Sequence, residues 1–505
     1  MKHKHRTQPL IYLLACTLVC VPFFLKAQVH EGKTFDAFIT KTMAAVPALP
    51  GISLAIVKDG KPVLVQGYGY ADQQKNQKAT AETAFYIASA TKSFTGLLSL
   101  MLEAEGKIGL DKPLTTYRPF KNLKNKEVFQ NITIRELLNH TSGIENGYIT
   151  FREAYTGDKP LETLTMLLEE KTTIREQGKT YSYDNLGYNI FGILLKAEFG
   201  WNWQDLLQQK IFSPLSMRHT SAYMSVAEKN KWPVAWPYRP SGDGKIVKGD
   251  LVKRDNMMQA AGGLICSAND AAEWLALYQN KGKRNGKQLI AASLLEESIR
   301  ATAGSNRRVG PIQDEGYGVG WFLANYKGSK LYYHNGGYPG FFSRIVQMPQ
   351  HQVGIAIFAN ESMTGDLVSE LILSFVLDYY QDKSAFDLKK YDDQTDSLVL
   401  RVSDAQARIK QQYESLSQRP WKLTLPKKAF CGTYFNQYIG KVTIEEQQDE
   451  LIVKMGELTI KATPYTQDNS IRIQIGNTGS VMTFKTEDNR VVAMQYRSDS
   501  FEKTN

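Results

Sequence analysis

Cysteine is scarce in this chain of 505 residues: four in all, at positions 16, 20, 266 and 431. Two fall in the apolar N-terminal run, and the other two lie in segments assigned below to different domains. A disulfide framework is therefore excluded as the organising device, and Cys266 and Cys431 are expected as buried free thiols. Dense basic clusters interleaved with aromatics are missing too. The net charge of +10 allows loose attraction to an anionic cell envelope but gives no case for a nucleic-acid partner. After residue 27 no stretch is long and apolar enough to span a bilayer, so no transmembrane helix is expected. No Asp, Glu, His or Cys grouping has metal-ligand spacing and no glycine loop could cradle a phosphate, so neither a metal nor a cofactor is expected. Internal repeats and low-complexity tracts are lacking. A composition of 42% hydrophobic and 22% charged residues excludes disorder and a multispan membrane protein.

What is present starts at the N-terminus. Lys2, Lys4 and Arg6 form a basic start, Leu10 to Leu25 an apolar core, and Leu25-Lys26-Ala27 a cleavage site before Gln28. This predicts a signal peptide over residues 1–27 and an exported protein, periplasmic or secreted. Leu13-Leu14-Ala15-Cys16 offers a lipoprotein reading with Cys16 acylated, disfavoured because the apolar run continues to Leu25. Loss of Lys2, Lys4, Arg6 and Lys26, with no acid among them, takes the net charge from +10 to +6.

Residues 28–381 read as one large domain. Phe35 to Ala45 suggests a short helix. Ile52–Val57 and Val63–Val65 flank Lys58-Asp59-Gly60-Lys61, a strong hairpin signal. From Ile108 to about Leu251 the pattern is mostly helical, with pieces at Ile134–Leu138 and Leu186–Phe199; a further helix is expected over Asn269–Gln279. Strand signals return at Gly318–Leu323, Leu331–His334, Phe342–Gln347 and Val353–Phe358, and an apolar helix at Leu367–Tyr380 follows. The fold class is α/β (α+β): one antiparallel sheet built from both ends of the domain, flanked by helices, with an all-helical insert. Residues 382–425 form a charged connector in which Val402, Ala405, Ile409, Tyr413 and Leu416 fall at helical spacing. Residues 426–505 contain short apolar runs with polar turns, the texture of a small all-β barrel or meander.

Three motifs carry chemistry. Phe85-Tyr86-Ile87-Ala88-Ser89-Ala90-Thr91-Lys92 reads as a turn delivering Ser89 to the first turn of a buried helix, which runs to about Glu105 and stops at Gly106. Ser89 and Lys92 are three apart and share a face, so a hydroxyl and an amine can act as nucleophile and proton acceptor. Free N–H groups and the dipole at such a helix start suit a growing oxyanion. Taken alone, Ser-x-x-Lys is expected by chance in a chain of this length. The second motif is Tyr181-Ser182-Tyr183-Asp184-Asn185, just before the helix at Leu186. From an extended backbone Tyr183 and Asn185 point the same way, one able to relay protons and the other to hold a substrate amide. The third, His334-Asn335-Gly336-Gly337, closes a strand whose edge can pair with a peptide-like backbone, the Gly337 N–H serving as a second oxyanion donor. His140, in His140-Thr141-Ser142-Gly143, reads as part of a structural turn and not as a catalyst.

In this order and on these elements, the motifs resemble those of the serine β-lactamase and penicillin-recognising family, particularly its class C-like branch. Thr133 to Gly143, Ala261-Gly262-Gly263-Leu264 and Gly340 to Arg344 are similar to it as well, so the resemblance covers roughly residues 35–380. The C-terminal segment looks like the lipocalin-like β-domains appended to some members. The resemblance implies a β-lactamase/transpeptidase-like fold and a serine hydrolase working through an acyl-enzyme. Ser89, Lys92 and Tyr183 would be catalytic, and Asn185, His334, Gly336 and Gly337 would bind a small-molecule or peptide substrate. The N–H groups of Ser89 and Gly337 would form the oxyanion hole. Whether Lys92 or Tyr183 is the base stays open. His334 stands where many β-lactamases carry lysine, which is similar to certain D,D-peptidases and D-aminopeptidases. It favours a D-amino-acid-containing peptide, a small peptide or an ester as substrate. A β-lactamase and a catalytically idle penicillin-binding or sensor protein are the other two readings.

Overall fold

Strand β1 (Gly51–Lys58) is buried almost from end to end, which demands cover on both of its faces. Its side chains divide by parity. Ile52, Leu54 and Ile56 enter one apolar core, shared with Phe35, Phe38 and Phe375, while Ala55 and Val57 enter another, shared with Phe94, Leu97 and Trp274. The computed structural model describes residues 30–157, 160–476 and 478–504. The segment read above as a signal peptide, with Cys16, lies outside the described residues.

Helix α1 (residues 30–45) precedes β1, and β2 (Lys61–Asp72) follows through Asp59 and Gly60, both left-handed as the hairpin signal requires. The chain then enters α2 (Thr91–Ala104) and a mostly helical region containing α3 (Gly147–Tyr155), α4 (Leu186–Phe199) and α5 (Ala268–Gln279). It returns to the sheet as β3 (Ile312–Tyr317), β4 (Phe322–Tyr326), β5 (Ser329–Tyr338), β6 (Phe341–Met348) and β7 (Val353–Ala359). Then α6 (Ser362–Gln381) packs back over it, the Phe38 ring of α1 stacking on Phe375 at 3.8 Å. Among the described residues nine antiparallel strands form this sheet. Their order is Arg308–Val309, β3, β4, β5, β6, β7, β1, β2 and Gln77–Lys78. The pairing of β1 with β7 joins the two ends of the unit, the α/β architecture expected from the sequence.

One strand assignment needs correction. Gly318 to Trp321 is a bend, and the strand begins only at Phe322. Gly320 serves close packing against α2, and Gly318 packs against the Ser298 carbonyl. A Cβ on Gly320, which has φ +89°, would stand 2.3 Å from the Lys92 carbonyl oxygen, and one on Gly96 would stand 2.3 Å from that of Val319. The strand before it, β3, was hidden by its charge. Its Asp314 is buried and accepts a 2.6 Å hydrogen bond from the Tyr333 hydroxyl.

Helix α7 (Leu388–Ser417) occupies much of the stretch read as a charged connector and buries Tyr391, Leu398 and Val402 along one stripe. The C-terminal strands form a second sheet. Its two edges, Leu458–Lys461 and Thr463–Pro464, are separated only by Ala462, so the sheet nearly closes into a barrel. Two of its strands, Gly432–Asn436 and Asp499–Lys503, gave no apolar run in the sequence. Val442, Ile444, Val453, Ile471, Met482 and Phe484 fill the interior.

Phe151 of α3 completes that interior from outside the barrel. Arg152 beside it donates to the Tyr438 carbonyl at 2.5 Å, and the Tyr148 hydroxyl donates to Asp499 at 3.0 Å. At its far end α3 touches the active strand: the Ala154 carbonyl accepts a 3.0 Å bond from the Tyr338 hydroxyl, the last residue of β5. Phe151→Ala should cost about 3 kcal/mol or more, as large-to-small core changes do, and lower the midpoint of thermal unfolding. An unchanged midpoint would show that Phe151 does not seat the barrel. Cys266 is buried and free; Cys431 is free but only half-buried, more open than expected. Among the described residues no helix is long and apolar enough to cross a membrane, and no group of side chains could hold a metal ion.

Candidate active site

Ser89 sits in a single 3-10 turn, Ala88–Ala90, immediately ahead of α2 and not in the α-helix proper. Ala88 is held at φ +44°, a left-handed conformation that a residue with a Cβ resists. Neighbours fix it there: the Ile87 N–H donates to the Leu264 carbonyl at 3.0 Å, and the Ser343 hydroxyl donates to the Ile87 carbonyl at 2.6 Å. Strained and clamped, the turn presents the Ser89 hydroxyl while leaving it free of structural duty.

Lys92, in the first turn of α2, is fully buried. Its Nζ lies 3.3 Å from Ser89 Oγ, 2.7 Å from Asn185 Oδ1 and 2.7 Å from the Ala261 carbonyl oxygen. Burial lowers its pKa from 10.5 to about 7, with the Asp184 carboxylate opposing the shift. An uncharged amine has two N–H donors and one lone pair. The two oxygen acceptors take the donors, and the lone pair is left for the Ser89 hydroxyl.

Tyr183 and Asn185 do converge on Lys92, but not from an extended backbone. Asn185 is already in the right-handed helical region as the cap of α4. The Tyr183 ring centroid is 5.0 Å from Lys92 Nζ, and the Tyr188 ring is 5.2 Å away on another side. Tyr183 keeps 37% of its surface exposed. Burial pushes that phenol well above 10, the Ser89 side chain beside it pulling the other way. At neutral pH the pair is therefore a protonated phenol next to an amine near its midpoint.

His334 lies beneath the cleft, with both nitrogens engaged. Nδ1 is 2.7 Å from the Asn335 carbonyl oxygen, which can only accept, so Nδ1 carries the proton and Nε2 takes the Tyr317 hydroxyl at 3.2 Å. Burial and then the Lys92 charge lower its pKa to about 3, so the ring is neutral. Pairing of β4 with β5 ends at Phe322–Tyr333, so among the described residues the β5 edge beyond Tyr333 has no partner strand on that side. Gly336 is demanded by this packing: a Cβ there would stand 2.0 Å from the Ile87 carbonyl oxygen and 2.9 Å from the Ser89 nitrogen. Gly337 follows with open space before it among the described residues.

The structure thus gathers Ser89, Lys92, Tyr183, Asn185 and Gly336 around one hydroxyl, with Gly337 at the rim and His334 below. Two participants were given no role from the sequence. Ala261 lies in a stretch that resembles the family, but its part is played by a backbone carbonyl, and Tyr317 is one tyrosine among 26. A serine hydroxyl, a desolvated lysine and an open strand edge thus meet in one place. The family model described as Beta-lactamase matches residues 35–372, and the chain belongs to that family.

Among curated relatives, Protein flp of Staphylococcus aureus (strain N315) is 28% identical over 325 residues, which are 64% of this chain. The chain spans 62% of that relative's length. The fold is shared with the octameric penicillin-binding protein homologue from Pyrococcus abyssi (TM-score 0.58, 23% identity), across 93% of this chain and 99% of the other. It is shared also with the D-amino acid amidase from Ochrobactrum anthropi SV3 (TM-score 0.52, 21% identity), across 74% and 99%.

Proposed function

We propose that this protein is an exported serine hydrolase that cleaves amide or ester bonds of small D-amino-acid-containing substrates through an acyl-enzyme on Ser89. The observation that carries the reading is the buried Lys92 amine facing the Ser89 hydroxyl at 3.3 Å. Ser89 Oγ attacks the carbonyl carbon while its proton passes to Lys92 Nζ. The N–H groups of Ser89 and Gly337 hold the oxyanion. As the C–N or C–O bond breaks, the proton moves through the Tyr183 phenol to the leaving group. Water then attacks the acyl ester by the reverse proton path, releasing the acid and restoring Ser89. Lys92 is the base in this scheme, because the phenol of Tyr183 stays protonated. Export is supported by the basic start and apolar run at Leu10 to Leu25. The D-amino-acid preference is supported by the uncharged His334, which offers no cation to the carboxylate of a β-lactam, and by the amidase among the proteins sharing the fold.

The test is a panel of a D-alanyl amide, a short-chain ester and a chromogenic cephalosporin, followed from pH 5.5 to 9. The reactive form is the unprotonated amine, so kcat/KM should rise with pH through about 7 and fall away below it. A profile flat across neutrality would remove Lys92 as the base. Cephalosporin turnover exceeding that of the amide and the ester would overturn the substrate assignment.

A further inference from the structure

His140 was read from the sequence as a turn residue, but the turn it forms is docked on the active segment. It is buried and left-handed, with φ +65°. Its carbonyl accepts the Ser182 N–H at 3.0 Å, and its ring Nδ1 accepts the Asp184 N–H at 3.3 Å. The peptide N–H groups on either side of Tyr183 are therefore both held by one residue. The imidazole also packs against the Tyr183 ring, with centroids 4.5 Å apart. Tyr317 at 4.7 Å and Tyr188 at 5.6 Å close the cage. Because Nδ1 accepts, the ring proton sits on Nε2, which has no hydrogen-bond partner among the described residues. Burial and the nearby Lys92 keep the ring uncharged, so the acceptor is present throughout the working pH range.

We propose that His140 is the positioning residue for Tyr183, fixing by its carbonyl, its Nδ1 and its ring face where the phenol stands relative to Ser89 and Lys92. This rests on the serine-hydrolase reading above. Its leverage comes from the sensitivity of proton relays to placement, where a displacement near 1 Å can cost about a hundredfold in rate. Chance packing against Tyr183 would not account for one side chain and its own carbonyl bracketing that residue.

Two substitutions separate the parts of the clamp. His140→Phe keeps a ring but loses the acceptor for Asp184. His140→Asn keeps an acceptor near the Nδ1 position and tolerates the left-handed backbone, but loses the ring. Acylation of Ser89 by an acylating inhibitor, measured before steady state, should slow by about tenfold to a hundredfold in His140→Phe with KM little changed. His140→Asn should recover part of that loss. In a Tyr183→Phe background both substitutions should have no further effect, since residues acting through one another fail to add. A merely structural role would give the same factor in both backgrounds, and that result overturns the proposal. So does wild-type acylation in folded His140→Phe. Thermal melting checks folding, and if His140→Phe does not fold, His140→Asn carries the same comparison alone. Labelling that persists in Ser89→Ala would sink the underlying reading. Silence of Ser89→Ala together with normal His140 variants would sink the proposal alone.

Discussion

Ser89→Ala abolishes covalent labelling by an acylating inhibitor and lowers turnover by about 10⁴-fold or more, the scale set by deletion of a nucleophile in other serine hydrolases. The size of the effect follows from the geometry. Lys92 Nζ is held by Asn185 and Ala261 and cannot move forward to replace the hydroxyl. The substitution should leave the fold intact, because the strained turn is held by the Ile87–Leu264 and Ser343–Ile87 bonds and not by the Ser89 side chain. Intact mass after exposure to the inhibitor reads the outcome directly. A mass shift at the wild-type rate would move the nucleophile elsewhere, and the convergence of Lys92, Tyr183 and Gly336 on this hydroxyl would lose its meaning.

How far the chain could be read without coordinates depended on how local each feature is. Ser89 and Lys92 lie one turn apart, so spacing alone put them together. The Asp59-Gly60 hairpin and the Gly106 stop of α2 are equally local, and both stand where expected. Strand β3 was lost because Asp314 and Glu315 break its apolar pattern, and the residue that makes Asp314 tolerable, Tyr333, lies 19 positions on. The Gly318–Leu323 difference has a related origin. An alternation of glycine with apolar residues mimics a strand, whereas Gly318 answers to the Ser298 carbonyl and Gly320 to the backbone of α2, more than 220 positions away in the chain. The charge state of His334 is set by burial and by Lys92, and its tautomer by its own neighbouring carbonyl and by Tyr317; none of these is visible in a His-x-Gly pattern. The seat of Phe151 in the barrel is likewise a contact between distant parts of the chain, invisible to periodicity.

Lys92→Met should abolish acylation and, at the same time, match the stability of the wild type in acid while falling below it in base. A lysine whose pKa falls from 10.5 to about 7 on folding binds fewer protons folded than unfolded between those two values. Its burden on stability is therefore full below pH 7, about 5 kcal/mol, and fades as the pH rises toward 10.5. Methionine is close in volume and carries no such burden. It leaves Asn185 Oδ1 and the Ala261 carbonyl without their donor, a loss of about 1–3 kcal/mol for each that does not depend on pH. At pH 6 the relief of the buried charge is of the same size as that loss, so the variant should resist urea about as well as the wild type. At pH 10 little of the relief remains, so the orphaned acceptors should leave the variant clearly the weaker. Urea denaturation of both proteins across that range measures the difference. A difference that stays constant with pH would mean that Lys92 keeps its ordinary affinity for a proton in the fold, and the base assigned to Ser89 would have to be sought elsewhere.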